Sequence, residues 1–370
     1  MPTNNKIKIV FGVNDFIVGG MQRQFVEQSK LYNSDEFEIT LITLFSFPER
    51  DDFYGNLPDN IKVYKFDFKG YKDISSWLKL LKLLRSIKPD IVVSSLFFSN
   101  TIFRFLKPLV GYKVVSREHN TYTDKTKKHI FIDKVMSHVS NKIVGVSTTV
   151  ADFTSKQENI PRDKFEVIHN GIDADLVNQR LEQLPEKNSL KNKLGLSVND
   201  KVLINVARLT QQKNHELLID GFLEFSKKYN DYKLLIVGGG GLEEEIREKV
   251  SGREDSIFVL GNQSDVFKFY KVADAFVSTS KIEGLSNAYL EALASGLPLV
   301  STKTAGTDEL INDGYNGLFV NQETIESVSE TLERLHFSDL ETMKRAAFET
   351  ALNFDIKNTV EKYEDLFKRL

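Results

Sequence analysis

The sequence predicts an α/β chain organised as two doubly wound domains, and three observations carry that expectation. Apolar runs of strand length recur along the 370 residues, continuous and rich in β-branched side chains rather than alternating with polar ones. Such runs belong to strands covered on both faces. Helix-length amphipathic stretches separate the runs, which implies parallel sheets with right-handed crossovers. A polar stretch from Gln179 to Asp200, rich in Lys, Glu and Asn, divides the series in two, in keeping with about 100–200 residues per domain.

In the first half the strand-like runs are 7–13, Phe37–Leu44, Ile61–Phe66, Ile91–Ser95, Lys113–Ser116, Ile143–Val146 and Phe165–His169. In the second half they are Val202–Ala207, Leu234–Gly238, Ile257–Leu260, Ala275–Ser278, Pro298–Ser301 and Gly317–Val320. The expected domains are residues 1–175 and 195–355, with the boundary near 172–197. The last helix, over 356–370, can pack on either half, and a return onto the N-terminal domain is one reading. In open α/β sheets ligands sit at the carboxyl ends of strands, and with two domains they sit in the cleft between them. Functional residues are therefore sought just after the strands.

Composition narrows the choices. The chain is 41% hydrophobic, 11% aromatic and 27% charged, ordinary globular usage that argues against disorder. It has no cysteine, which excludes a disulfide scaffold, a thiolate zinc site and a cysteine nucleophile. The net charge of −3 gives no sign of a nucleic-acid binder. That average hides an asymmetry: residues 62–142 hold 17 Lys+Arg against 6 Asp+Glu, whereas residues 176–370 hold 24 against 31. The opening Met-Pro-Thr-Asn-Asn-Lys leads into a strand-like run, not a signal peptide, and the longest membrane candidate, Ile91 to Leu109, is broken by Arg104 and Lys107. A cytoplasmic protein, soluble or peripheral, is expected.

The first strand is followed by Gly12 to Arg23, with Gly19-Gly20 just before a helix. Glycines there allow close backbone approach, and the first amides of a helix suit an anion. A plain turn explains the pair equally well, and the pattern is not G-x-G-x-x-G, which counts against a dinucleotide dehydrogenase. Ser116-Arg117-Glu118-His119-Asn120 ends another strand. A histidine there can donate a hydrogen bond or titrate near neutrality, although a lone histidine is as often structural. Val167 to Asp173 ends a further strand with Asn170-Gly171, a turn signal, and the acidic residues at 173 and 175 read as helix caps rather than metal ligands.

In the second half, Arg208 and Lys213 sit five apart on a strand–helix loop, where they can converge on one phosphate, the Arg by its fork and the Lys as a point charge. Two solvated charges are the alternative. Gly238 to Gly241 gives a tight turn or room for a ligand. The strongest constellation is Lys281 to Gly296. Ser286 or Asn287 caps a helix, Glu283 lies in the loop before it, and Glu291 lies one turn in, leaning back toward the same end. Two carboxylates beside an anion-binding helix end suit the hydroxyls of a sugar.

At these residues the sequence resembles a family 4 glycosyltransferase of the GT-B fold, the large retaining, nucleotide-sugar-dependent class whose two Rossmann-like domains face each other across a cleft. The likeness runs from Gly19-Gly20 to Asn316-Gly317. Its most specific part is the E-x7-E motif, Glu283 to Glu291. The resemblance implies that Arg208 and Lys213 bind the diphosphate, that His119 and Glu283 hold the transferred sugar, and that Glu291 takes the ribose hydroxyls. It implies a donor site lined by Gly19, Gly20, Asn170, Gly238, Asn262, Gln263, Gly284, Leu285, Ser286, Asn287 and Glu291, with the base near Asn262 and Gln263. It implies a retaining, metal-independent reaction with no cofactor, in which Arg and Lys replace a cation. Met21-Gln22 departs from the family, where many relatives carry a small residue and an acid.

The implied partners are a nucleotide-sugar donor, UDP-linked foremost, and a glycan or lipid-linked acceptor of the kind used in bacterial surface polysaccharides. The basic excess over residues 62–142, interleaved with Trp77, Phe97, Phe98, Phe103 and Phe105, favours contact with an anionic membrane. For Trp77–Arg85 alone, a crossover helix with an apolar inner face is the better account. Nucleic acid is not an expected partner. The rival readings are a GT-B-fold nucleotide-sugar epimerase and a non-enzymatic two-domain sugar-binding protein.

Overall fold

The computed structural model describes residues 6–370, which divide into two compact units: one running to Gly171 and taking in Ile356–Leu370, the other spanning Ile172–Asp355.

The first unit alternates strand and helix: β1 (Ile7–Val13), α1 (Gly20–Ser29), β2 (Phe37–Thr43), β3 (Lys62–Lys65), α2 (Ile74–Ile87), β4 (Ile91–Ser95), α3 (Phe97–Val110), β5 (Lys113–Glu118), α4 (Lys127–Ser137), β6 (Lys142–Gly145), α5 (Thr148–Glu158) and β7 (Phe165–Val167). The strands form one parallel sheet in the order β3-β2-β1-β4-β5-β6-β7. Strand order reverses between β1 and β4, so the switch point that opens a ligand crevice lies at their carboxyl ends. One face buries Phe11, Phe25 and Tyr32 with Tyr363, Leu366 and Phe367 of the C-terminal helix Ile356–Arg369; the other buries Leu80, Leu84, Ile102, Phe103 and Leu106 of α2 and α3. Two features hold the switch point. A Cβ at Gly12 would fall 2.0 Å from the Phe103 ring, so only glycine lets α3 pack this closely. Leu96, between β4 and α3, takes φ 73°, a region a branched side chain enters only when its surroundings hold it there.

The second unit contains α6 (Ala174–Gln183), α7 (Lys187–Lys193), β8 (Lys201–Val206), α8 (His215–Ser226), β9 (Tyr232–Val237), α9 (Glu243–Lys249), β10 (Ile257–Val259), α10 (Phe267–Val272), β11 (Ala275–Ser278), α11 (Asn287–Ala294), β12 (Leu299–Thr302), α12 (Thr307–Leu310), β13 (Gly317–Val320), α13 (Ile325–His336) and α14 (Leu340–Leu352). Its parallel sheet runs β10-β9-β8-β11-β12-β13, with the switch point between β8 and β11. The stretch from Gln179 to Asp200, read from composition as the polar division between domains, is instead largely helical and part of this unit. Val177 and Leu190 are buried. The long cations are spent inward: Lys187 pairs with Asp274 at 2.8 Å, and Lys191 Nζ donates to the carbonyls of Val198 and Asp200. A polar composition conceals this because Lys buries its stem while its ammonium finds carbonyls.

Candidate active site

At the second unit's switch point the structure joins Lys213 of the basic pair to the loop glutamate. Arg208 and Lys213 follow β8, and Glu283 lies in the loop after its neighbour β11. Lys213 Nζ forms an ion pair with Glu283 Oε1, and both side chains are largely buried. Ser280 Oγ donates to the same Oε1 at 3.2 Å. Oε2 has no partner among the described residues. The two loops are stitched together by Thr279 Oγ1 donating to Asn214 O (2.8 Å), Lys281 N to Gln212 O (2.9 Å) and Gln212 Nε2 to Ile282 O (2.7 Å). Asn214 turns the chain into α8 with φ 52°. Arg208 is exposed and makes no ion pair or hydrogen bond among the described residues.

Gly284, Leu285, Ser286 and Asn287 lead into α11. Ser286 occupies the N-cap position, but its side chain accepts no backbone N–H, so the cap bond expected of it does not form. The loop is crowded from behind: a Cβ at Gly306 would lie 1.6 Å from the Gly284 carbonyl oxygen. Glu291 is buried on α11, and Tyr270 Oη donates to its Oε2 at 3.1 Å. The glycine run after β9 lies against the Arg208 loop. A Cβ at Gly238 would meet Ala207 O at 2.0 Å, Leu209 N donates to Gly239 O at 3.0 Å, and Gly239 lies against the Asn262 side chain. Gln263 turns back to donate from Nε2 to Leu260 O at 2.8 Å, leaving the exposed Asn262 beside the glycines.

His119, Gly19, Gly20 and Asn170 belong to the first unit. His119 follows β5; its Nε2 is shielded and has no hydrogen-bond partner among the described residues. Burial, and then Arg117, hold its basicity well below the usual histidine range, so the ring is neutral. Gly19 is the N-cap of α1 in ordinary extended backbone, and Gly20 opens the helix. The departure at position 22 has a local reason. Gln22 Nε2 donates to Asp15 Oδ1 at 3.2 Å, and Asp15 is itself raised by burial, so an amide meets the carboxylate where an acid would repel it. Asn170 is buried in the segment Asn170-Gly171, and Gln24 clamps Gly171 from both sides, donating to its carbonyl and accepting from its amide. Asp173 caps α6 by accepting from Leu176 N. Among the described residues no three His, Asp or Glu side chains are grouped to hold a metal ion.

Residues 18–176 match the model of Glycosyltransferase Family 4, and residues 186–349 that of Glycosyl transferases group 1. The chain belongs to the family 4 glycosyltransferases of the GT-B fold. A UDP-Gal:alpha-D-GlcNAc-diphosphoundecaprenol alpha-1,3-galactosyltransferase of Escherichia coli is 26% identical over 385 residues, covering 99% of this chain and 97% of that protein. The capsular polysaccharide biosynthesis glycosyltransferase CapM of Staphylococcus aureus is 25% identical over 295 residues, 76% of each chain. The fold is that of Anabaena HepE in complex with UDP, with a TM-score of 0.83 at 18% identity over 98% of this chain and all of that one.

The glycosyltransferase also carries a buried ionic cluster that sequence reasoning missed. Arg104 and Lys125 both fall in the basic stretch of residues 62–142, yet both are internal. Arg104 is 1% exposed and bonds Asp133 at 2.8 Å, Ser116 and Ser140. Lys125 Nζ lies 3.0 Å from Asp133, 2.5 Å from Glu158 and 3.6 Å from Glu118. Three carboxylates thus face two cations. Burial pushes Glu118 upward and raises Glu158 to about 7, while the carboxylates, overcoming burial, hold Lys125 charged well above the usual range. The cluster ties the residues just after His119 to α4 and α5. Charge counts carry no information on burial, so no signal in the sequence marked it.

Proposed function

We propose that this glycosyltransferase is a retaining enzyme that moves a hexose or N-acetylhexosamine from a UDP-linked donor to a glycan or lipid-linked saccharide acceptor, in the synthesis of a cell-surface polysaccharide. The observation that carries the reading is the Lys213–Glu283 pair at the switch point, directly before the N-terminus of α11, with the exposed Arg208 on the same loop as Lys213. A diphosphate laid there meets two cations and a helix end, which stabilise the charge that builds on the departing group. These fixed cations take the place of a divalent metal, and no cofactor is required. Glu283 accepts from sugar hydroxyls through Oε2, Glu291 takes the ribose hydroxyls, and neutral His119 donates to the transferred sugar. Retention follows from attack on the leaving-group side, with the departing phosphate taking the acceptor's proton. The UDP donor is supported by the names of the E. coli relative and of the HepE complex.

The acceptor side is read from the first unit. Helices α2, α3 and α4 present Ile74 (65% exposed), Leu78 (62%), Phe105 (58%) and Phe131 (66%) among the exposed Lys79, Lys82, Arg85, Lys127 and Lys128. The inner face of α2 is covered through Leu80 and Leu84, so the crossover role leaves these outer apolar residues unexplained. Apolar tips among lysines fit an anionic membrane surface and a peripheral, cytoplasmic-face enzyme. No helix among the described residues is long and apolar enough to cross a membrane.

The test is thermal unfolding with nucleotide diphosphates and their sugars in EDTA. UDP at about 100 times its Kd should stabilise by about 2.7 kcal/mol; failure of every nucleotide, or a need for divalent metal, overturns the site. Loss of flotation on phosphatidylglycerol vesicles in Leu78→Ser/Phe105→Ser is expected, and unchanged flotation removes the membrane contact.

A further inference from the structure

Beneath the loop that carries Glu283 runs a chain of buried hydroxyls. Tyr289 on α11 is 2% exposed, and its Oη donates to Ser278 Oγ at 2.9 Å and lies 3.1 Å from Ser301 Oγ. Ser278 Oγ lies 3.0 Å from Ser280 Oγ, and Ser280 Oγ donates to Glu283 Oε1. Ser301 Oγ donates to the carbonyl of Thr302, and Thr302 Oγ1 donates at 2.6 Å to the carbonyl of Ser280, fixing the backbone from which Ser280 reaches the carboxylate. These groups come from β11, the loop after it, α11 and β12. All four hydroxyl-bearing residues, Ser278, Ser280, Tyr289 and Ser301, are at most 2% exposed.

A phenylalanine at 289 and alanines at 278 and 301 would fill this space without any polar atom to satisfy. A buried hydroxyl is costly unless it is bonded, and a buried polar network generally adds less stability than apolar packing. Here every member is bonded. The directions also agree: with Tyr289 donating to Ser278, Ser278 has its proton for Ser280 and Ser280 has its proton for the carboxylate. The chain therefore ends on an ionised acceptor, where hydrogen bonds are strongest. Its end point is Oε1, the oxygen also held by Lys213, and this leaves Oε2 as the open acceptor.

We propose that Tyr289, Ser278 and Ser280 are positioning residues: through Oε1 they lock the Glu283 carboxylate in the rotation that turns Oε2 to the substrate. The proposal rests on the reading that Glu283 holds the donor sugar. Without the chain, Lys213 alone restrains the carboxylate, and a single ion pair leaves it free to rotate. Misplacement at a reacting centre is felt in turnover more than in binding the nucleotide, which Glu283 does not touch.

The experiment measures UDP release from UDP-glucose, UDP-galactose and UDP-N-acetylglucosamine, with UDP affinity by calorimetry and Tm for each variant. Ser280→Ala and Tyr289→Phe should each lower kcat roughly ten-fold or more, with KM for the sugar nucleotide changed less and UDP affinity within about two-fold of the parent. Ser280→Thr, which restores a hydroxyl, should recover most of the loss. Glu283→Gln separates the two readings. If it is inactive while Ser280→Ala and Tyr289→Phe turn over normally, the positioning proposal is wrong and the role of Glu283 stands. If Glu283→Gln itself turns over normally, the reading of the site is wrong. A fall in kcat, UDP affinity and Tm together, with no rescue by threonine, reduces the chain to packing and overturns the proposal.

Discussion

Lys125→Met is the most informative test of the buried cluster in the first unit. Methionine keeps the length and apolar stem of lysine and removes only the charge. Asp133 then retains Arg104, whereas Glu118 and Glu158 lose the cation that faces both. Removing one partner from a buried ionic group costs about 3–5 kcal/mol because the remaining charges are left uncompensated. For a unit of this size, Tm falls roughly 2–4 °C per kcal/mol, so calorimetry at pH 8 should show a drop of about 6–20 °C. The pH dependence gives the mechanism. Burial already raises Glu118 and Glu158, so protons can replace the missing ammonium as pH falls. The deficit should therefore be largest at pH 8 and shrink toward pH 5. A drop below about 2 °C at pH 8, or one equal at both pH values, refutes the account.

The companion variant Glu158→Gln tests the excess carboxylate. With Glu158 raised to about 7, the folded chain binds a proton that the unfolded chain has released above its ordinary value of about 4.3. Its contribution is full below about 4.3 and is lost as pH rises through 7. Glutamine should flatten that dependence and match or exceed the parent above pH 7 in a Tm–pH series. Gly306→Ala places a Cβ 1.6 Å from the Gly284 oxygen in otherwise ordinary backbone, so the loop between Glu283 and α11 must shift. A destabilisation of about 3 kcal/mol and loss of UDP-induced stabilisation are expected, and unchanged UDP binding would show that the loop tolerates displacement. Gln22→Glu sets a carboxylate against Asp15; a loss of about 1–2 kcal/mol at pH 8 that fades by pH 5 is expected in the same Tm series, and a pH-independent effect would point to packing instead.

The fold was legible because strands covered on both faces leave continuous β-branched runs, and each run read as a strand forms one. Of the motif around Glu283, what was legible is its placement: spacing puts one carboxylate in the loop before α11 and one on the helix itself. What was illegible depends on depth. Arg104 and Lys125 read as surface charge because a sequence records a cation's sign and not the three carboxylates folded around it. Residues 179–200 read as a division because α6 and α7 bury only a narrow stripe through Val177 and Leu190, while their lysines serve carbonyls. Ser278, Ser280 and Ser301 carry no pattern, since the hydroxyl chain exists only once β11, α11 and β12 are adjacent.

The return of the C-terminal helix has a consequence for synthesis. The second unit enters and leaves at one place, where Ile172 N bonds Phe354 O at 2.8 Å and Ile172 bridges Asp355. It is thus an insertion with its own ends tied, able to complete its sheet as soon as Asp355 has emerged from the ribosome. The first unit is made earlier but finishes later. Until residues 356–370 appear, the surfaces of Phe11, Tyr32 and Phe37 that Phe367 covers remain bare. The half of the enzyme translated first is the half that must wait, and a chain cut before residue 356 leaves its earliest-made core open.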